Sequence, residues 1–353
     1  MAAPPLSGLQ AVRSSGVRFA SDTGEYNQIW PFQNDLTDAT TNPSLVLAAV
    51  SKPEYAAIVQ DAVNYARGKM PAGSAEETTV LAMDRLLAQV GSQIARIVPG
   101  RVSVSVDPRI GYDTEAMIQK GRNLVSLLEE LGIPRTRILI KIPATYEGIV
   151  AAQTLEHPAA GELAIHTNMT LIFGRIQAIA CAQAGLSVIS PFIGRVKDFW
   201  DAHGRPPATD LAEHPGMLLV RAIRATYDAN GWSGRTHVMA AGFRAPEEII
   251  EVCKYGVAGG PDLVTIPPVL LEGVRVRQDL IKPALPFASE SVDVSVSTVY
   301  FGSGCAEDAA ALYARDIARE EVAAVKVPEG LAKFSADAQI LEDLVKQTLA
   351  ESS

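Results

Sequence analysis

The chain has 353 residues, 48% of them hydrophobic and 20% charged, with a formal net charge of −9. That length suits a large core in one barrel-sized unit or two smaller ones. The acidic balance offers no basic stripe to neutralise phosphates, which excludes a nucleic-acid partner, and the apolar runs stop well short of a membrane span, which excludes a spanning helix. At the start, MAAPPLSGLQAV lacks the basic opening and apolar core of a signal peptide. Cys181, Cys253 and Cys305 are too scattered for a disulfide framework or a CxxC metal site, so a cytosolic (cytoplasmic) location is expected.

Short β-rich runs then alternate with longer helical stretches, the rhythm of parallel strands joined by crossover helices. The predicted strands are VRFASD (17–22), the start of LTDATTNP (36–43), RVSVSVD (101–107), RILIKIP (137–143), ELAIHTN (162–168), LSVISPF (186–192), HVMAAG (237–242) and DLVTIPP (262–268). Between them, GRNLVSLLEELG sets Leu124, Leu127, Leu128 and Leu131 on one helical face. The alanine-rich RIQAIACAQAG closes on Gly185, a helix stop. GVAGGPD (256–262) precedes a strand and reads as a turn. No GxGxxG loop follows the first strand, which weighs against a doubly wound open sheet.

Eight strand–helix units in roughly 260 residues predict a (β/α)8 TIM barrel with its site at the C-terminal ends of the strands. One α/β domain is expected, with the barrel over about 15–285 and a helical extension over about 300–350. SVDVSVSTVYFGSG (291–304) is a short alternating stretch expected to cover part of the site. AEDAAALYARDIAREEVAAVKV and LAKFSADAQILEDLVKQTLA predict two additional C-terminal helices divided at Pro328. Their apolar faces make a homodimer an expectation.

RILIKIPAT (137–145) places one lysine in an otherwise apolar strand. An unpaired buried ammonium costs several kcal/mol and tends to neutralise. Lys141 is therefore either a structural ion-pair partner or a neutral amine kept as a nucleophile, the state that attacks carbonyls. Its side chain is expected to point inward and to meet Asn42, Asn168 or water. Other polar residues gather at the same strand ends: Asp22, Asp38 and Asn42, Ser103 and Ser105, Asn168 and Thr170, Ser190 and Arg195, and Arg244. Each has a plainer reading. Asp22 and Asn42 could cap helices, and either arginine could be a surface ion-pair partner.

DATTNPSLVL (38–47), VPGRVSVSVDPRIGYDTEAMI (98–118), ILIKIPATYEGIVAA (138–152), TNMTLIF (167–173), CAQAGLSVISPFIGRVKDFW (181–200) and AGFR (241–244) together resemble the transaldolase family. The resemblance runs from about Asp22 to the final helices. It implies a class I aldolase mechanism on a (β/α)8 barrel, acting on sugar phosphates. Because the iminium is itself the electron sink, it implies no metal and no organic cofactor. By the same resemblance Lys141 is the Schiff-base lysine and Asp22 moves the proton of the C4 hydroxyl. Thr170 holds the catalytic water. Asn42 and Asn168 hold hydroxyls of the triose unit with Ser190 beside them, Thr40, Ser103 and Phe192 complete the substrate-binding set, and Arg195 and Arg244 grip the phosphate.

One departure bears on the chemistry. The family reads GRVSTEVD on strand three, where its glutamate shuttles protons with the water; here the aligned residue is Ser105. A hydroxyl cannot serve as that base without activation. Gly242 stands where a serine is common, and Arg175 where an apolar residue is usual. His166, two residues before Asn168, falls on the same face by strand alternation, although its plainer reading is a histidine satisfied by a neighbour. Three readings remain open: a transaldolase with a slow or rebuilt proton relay, a related enzyme recruited to another aldol or retro-aldol step, and a silent sugar-phosphate-binding paralogue.

Overall fold

A computed structural model describes residues 8–204, 208, 210–277, 293–305 and 307–351. The expected barrel end near 285, Ser291 and Val292 of the alternating stretch, and Ala306 of the first C-terminal helix lie outside the described residues. Among the described residues eight strands form: β1 Arg18–Asp22, β2 Asp38–Thr40, β3 Val102–Ser105, β4 Ile138–Pro143, β5 Thr167–Ile172, β6 Val188–Pro191, β7 His237–Ala240 and β8 Leu263–Ile266. All pair in parallel with their sequence neighbours, and β8 returns to β1 to close the barrel. The apolar, β-branched runs need cover on both sides, and β4 and β5 are buried at every position.

Alternation sorts the barrel interior into layers. Ala20, Leu139, Val188, Met239 and Leu263 form an apolar cluster of their own toward the strand starts. Two residues further along four of those strands stand Asp22, Lys141, Ser190 and Thr265, with Ala241 at the corresponding place after β7. The interior therefore changes from an apolar floor to a polar ceiling within one step of the pleat.

The helices largely follow the sequence. Leu124, Leu127 and Leu128 are buried on the helix Thr114–Glu130. Gly185 takes φ +72° just past the helix Arg175–Gln183, a conformation suited to glycine. The predicted turn at 256–262 contains a one-turn helix, Gly256–Gly259, ahead of β8.

Three expectations are corrected. β5 starts at Thr167 rather than Glu162, because Glu156 accepts the Thr167 N–H (2.9 Å) and the Thr167 hydroxyl (2.5 Å), fixing where the strand enters the barrel. Pro328 does not divide the C-terminal helices. They are Ala309–Ile317 and Glu321–Glu351, with Pro328 inside the second. The lost N–H is outweighed because Val322, Ala323 and Val327 before it pack into the same apolar cluster as Leu331 and Phe334 after it. The real break precedes Glu321: Glu320 turns its carboxylate onto the N–H groups of Arg175 (2.8 Å) and Ile176 (3.1 Å), capping that helix. Nor does the described part of 291–304 form a strand over the site. Gln183 bonds the Thr298 carbonyl (2.9 Å) and the Tyr300 N–H (2.8 Å), and Asn230 bonds the Val294 carbonyl (3.2 Å), so the segment lies against outer helices.

The long C-terminal helix instead runs along the rim where the strands end. It meets Ser44 through Asp337, Arg109 through Glu342 (2.6 Å), Leu171 through Gly330 and Arg195 through Phe334. Among the described residues no helix is long and apolar enough to cross a membrane.

Candidate active site

Lys141 lies on β4 between Ser105 of β3 and Asn168 of β5 in the strand register. Its Nζ donates to the backbone carbonyl of Thr41 at 3.2 Å. Among the described residues Lys141 makes no hydrogen bond to Asn42 or Asn168, whose amide oxygens accept from the Leu45 N–H and from Ser190 Oγ. Among the described residues no carboxylate lies within ion-pair distance of Lys141, although Asp22 is near enough for its charge to act on the lysine. Burial pushes its pKa below the ordinary lysine value; the charge of Asp22 opposes that shift and Arg195 adds to it. A lowered pKa moves the onset of the neutral amine to lower pH. Borohydride trapping of dihydroxyacetone on Lys141 is thus expected to reach half its maximum below the usual lysine pKa of 10.5. A midpoint at or above that value would show the ammonium to be stable in place.

Beside the lysine, Asn168 is held at both ends. Its Nδ2 donates to Ser103 Oγ (3.0 Å), and Ser190 Oγ donates to its Oδ1 (2.7 Å), all three residues being buried. Thr40 Oγ1 lies 2.7 Å from Asp22 Oδ1 and 2.6 Å from Thr265 Oγ1, which leaves the half-buried Asp22 carboxylate oriented by one hydroxyl. Asn42 caps the helix Pro43–Val50 by accepting the Leu45 N–H at 3.0 Å, so the plainer reading describes its oxygen while its amide NH2 is not used by the cap. Ser105 Oγ reaches the same Thr41 carbonyl as Lys141, at 3.5 Å.

Thr170 carries a buried hydroxyl with no hydrogen-bond partner among the described residues. The next residue, Leu171, has φ +59°, where β5 breaks register against β6. An unsatisfied buried hydroxyl and a left-handed leucine each cost on the order of 1–3 kcal/mol. Both lie at the end of β5, where Thr170 stands opposite Pro143 in the β4–β5 register, two residues beyond Asn168.

The two arginines sit differently. Arg195 has its guanidinium carbon 5.4 Å from the Phe192 ring and 5.2 Å from the Phe334 ring. Burial lowers its pKa, and repulsion from Arg244 lowers it further, so the two cations are close enough to feel each other. Arg244 is exposed and donates to Asp198 at 2.7 Å, while Glu248 accepts its backbone N–H at 2.7 Å. The surface ion-pair reading therefore fits part of Arg244 and none of Arg195.

Some sequence candidates lie elsewhere. Asp38 opens β2 at the opposite end of the barrel, accepting from Thr37 Oγ1 (2.6 Å) and the Arg101 N–H (3.0 Å). His166 precedes β5 and is satisfied there, its Nδ1 2.9 Å from Ser187 Oγ. Arg175 directs its guanidinium to the Asp293 carbonyl. Asp107, beside Ser105, is used by Arg109, whose Nη2 is 2.6 Å away. Gly242 has φ +75°, which explains a glycine in place of a serine. Sequence reasoning missed the Thr41 carbonyl, Thr265, Leu171, Glu248 and Phe334. A backbone acceptor carries no residue signal, but Thr265 could have been found by alternation on β8.

A sequence profile of the family described as Transaldolase/Fructose-6-phosphate aldolase matches residues 19–345. The protein named Transaldolase from Schizosaccharomyces pombe is 40% identical over 344 residues, spanning 98% of this chain and 99% of its own. Transaldolase from Saccharomyces cerevisiae is 37% identical over 341 residues, spanning 97% and 95%. Transaldolase B from Pasteurella multocida is 37% identical over 348 residues, spanning 98% and 100%. With a closed eight-stranded barrel beneath that full-length likeness, the chain belongs to the transaldolase/fructose-6-phosphate aldolase family and is a transaldolase-like enzyme.

Proposed function

We propose that this enzyme forms a Schiff base on Lys141 with a ketose phosphate and moves a dihydroxyacetone unit to an aldose phosphate. The observation that carries it is a buried lysine with no carboxylate partner among the described residues and a lowered pKa, set in the polar layer of the barrel. The neutral amine adds to the C2 carbonyl, and loss of water gives an iminium. Asp22 takes the C4 hydroxyl proton, the C3–C4 bond breaks, and its electron pair moves into the iminium to form an enamine. The C4 fragment leaves as an aldose phosphate. An acceptor aldose reverses these steps with Asp22 returning the proton, and water then frees Lys141.

In this reading Asn168, fixed by Ser103 and Ser190, holds hydroxyls of the bound triose together with the Asn42 amide, and Phe192 walls the pocket. The Thr170 hydroxyl serves the water of iminium formation. Arg195 and Arg244 take the phosphate. The electron sink is the iminium, so no metal or organic cofactor enters any step. Borohydride reduction in the presence of fructose 6-phosphate, followed by peptide mapping, should place the adduct on Lys141; no adduct would leave a silent binder. Product analysis with erythrose 4-phosphate as acceptor separates transfer from another lyase reaction, the alternative that Ser105 keeps in view.

Replacing either arginine by alanine should weaken phosphorylated ligands by ~1.5–3 kcal/mol, the range for a hydrogen bond to a charged group. Arg195, the more buried, should fall at the upper end. Titration of both variants with fructose 6-phosphate checks this, and unchanged affinity would point to an unphosphorylated substrate.

A further inference from the structure

The two arginines proposed to take the phosphate are held by opposite devices. Arg244 is oriented by a carboxylate, Asp198, which also competes for its charge. Arg195 has no carboxylate partner among the described residues and is bracketed by two aromatic rings. A ring face orients a guanidinium through its quadrupole without supplying a formal negative charge, so the cation stays available to an anion. One of these rings, Phe192, belongs to the barrel. The other, Phe334, comes from the helix Glu321–Glu351, outside the eight strand–helix units.

The same helix approaches the guanidinium a second time. At Gly330 its backbone is so close that an added Cβ would lie 3.2 Å from Arg195 Nη1 and 2.7 Å from Leu171 Cδ2. Leu171 is the left-handed residue beside Thr170, and its side chain is buried in the cluster that contains Phe192, Leu331 and Phe334. Packing from the helix thus covers both the strained strand end and the flank of Arg195. The helix cannot drift easily, since Glu320 ties its start to the N–H groups of Arg175 and Ile176 and Glu342 ties its far part to Arg109.

We propose that Gly330 and Phe334 of the C-terminal helix are positioning residues for Arg195, so that this extension sets the preference for phosphorylated over unphosphorylated sugars. The inference rests on the reading of Arg195 as a phosphate ligand. Neither residue touches the reacting atoms; both act through the guanidinium.

The test measures kcat and KM separately for fructose 6-phosphate and for unphosphorylated fructose as donors, in the full-length protein. The variants are F334L, F334Y, G330A and R195A, with thermal melting and Lys141 trapping by dihydroxyacetone as checks on folding. F334L keeps apolar volume and removes the ring, whereas F334Y keeps the ring. The ratio of kcat/KM for the two donors should fall by about 2- to 30-fold in F334L, through KM for the phosphorylated donor, the scale of a cation–π contact. It should fall in G330A too and be retained in F334Y. A ratio in F334L equal to wild type, or equal losses for both donors, would overturn the inference. R195A separates the two levels. If it lowers the ratio and F334L does not, positioning by the helix is wrong and the phosphate reading stands. If R195A leaves the ratio unchanged, the phosphate reading fails and takes the inference with it.

Discussion

Lys141→Arg is expected to abolish carbon–carbon bond cleavage while the barrel still folds. Arginine keeps a positive charge at the position, but its guanidinium does not lose its proton in proteins and is not a usable nucleophile. The wild-type site works in the opposite direction, since burial favours the uncharged amine of Lys141 and no carboxylate among the described residues pairs with it. Activity should drop by at least ~10³-fold, a conservative figure beside the ~10⁶ lost when a hydrolase loses its covalent nucleophile. The larger head group must fit beside the Thr41 carbonyl and Ser105, so Lys141→Met, which is uncharged and of similar length, serves as a companion. Cleavage of fructose 6-phosphate is the readout, with circular dichroism and a thermal melt reporting the fold. Residual activity above a tenth of wild type in a folded variant would remove the Schiff-base mechanism.

Ser105→Glu should raise dihydroxyacetone transfer. Ser105 stands opposite Lys141 in the β3–β4 register, is buried, and reaches the carbonyl that Lys141 also reaches. A carboxylate there would supply the base that the resemblance assigns to this position. A positioned general base commonly contributes ~10²–10⁴-fold, so even a poorly aimed glutamate should recover a measurable part. Two effects work against the gain. A second carboxylate near Asp22 disfavours ionisation of both, and an anion beside Lys141 favours the ammonium, raising the pKa that burial has lowered. A coupled assay of transfer from fructose 6-phosphate to erythrose 4-phosphate compares the two proteins. Wild-type turnover typical of the family would mean that the proton relay runs through other groups and Ser105 is no defect. If neither protein turns over and both trap a carbonyl ligand on Lys141, the pocket is shaped for another substrate.

Much of this protein is legible in its sequence. Eight apolar, β-rich runs separated by helical periodicity determine a parallel barrel, because such strands require cover on both faces. A lysine within one of them is conspicuous for the same reason. Once the pleat is assumed, Ser103, Ser105, Asn168, Thr170 and Ser190 fall on the interior face by counting in twos. The tertiary structure decided the rest. Where β5 starts depends on Glu156, a carboxylate from another element that accepts the first N–H of the strand. Whether Pro328 ends a helix depends on what packs on either side of it, and local propensity is outweighed when both flanks are buried in one cluster. The partner of Lys141 is a backbone carbonyl, which every residue carries and no pattern reveals. The second ring on Arg195 comes from Phe334, 139 positions further along the chain by the difference of the two residue numbers. Periodicity reports what each segment must bury, and only folding reports which distant segment buries it.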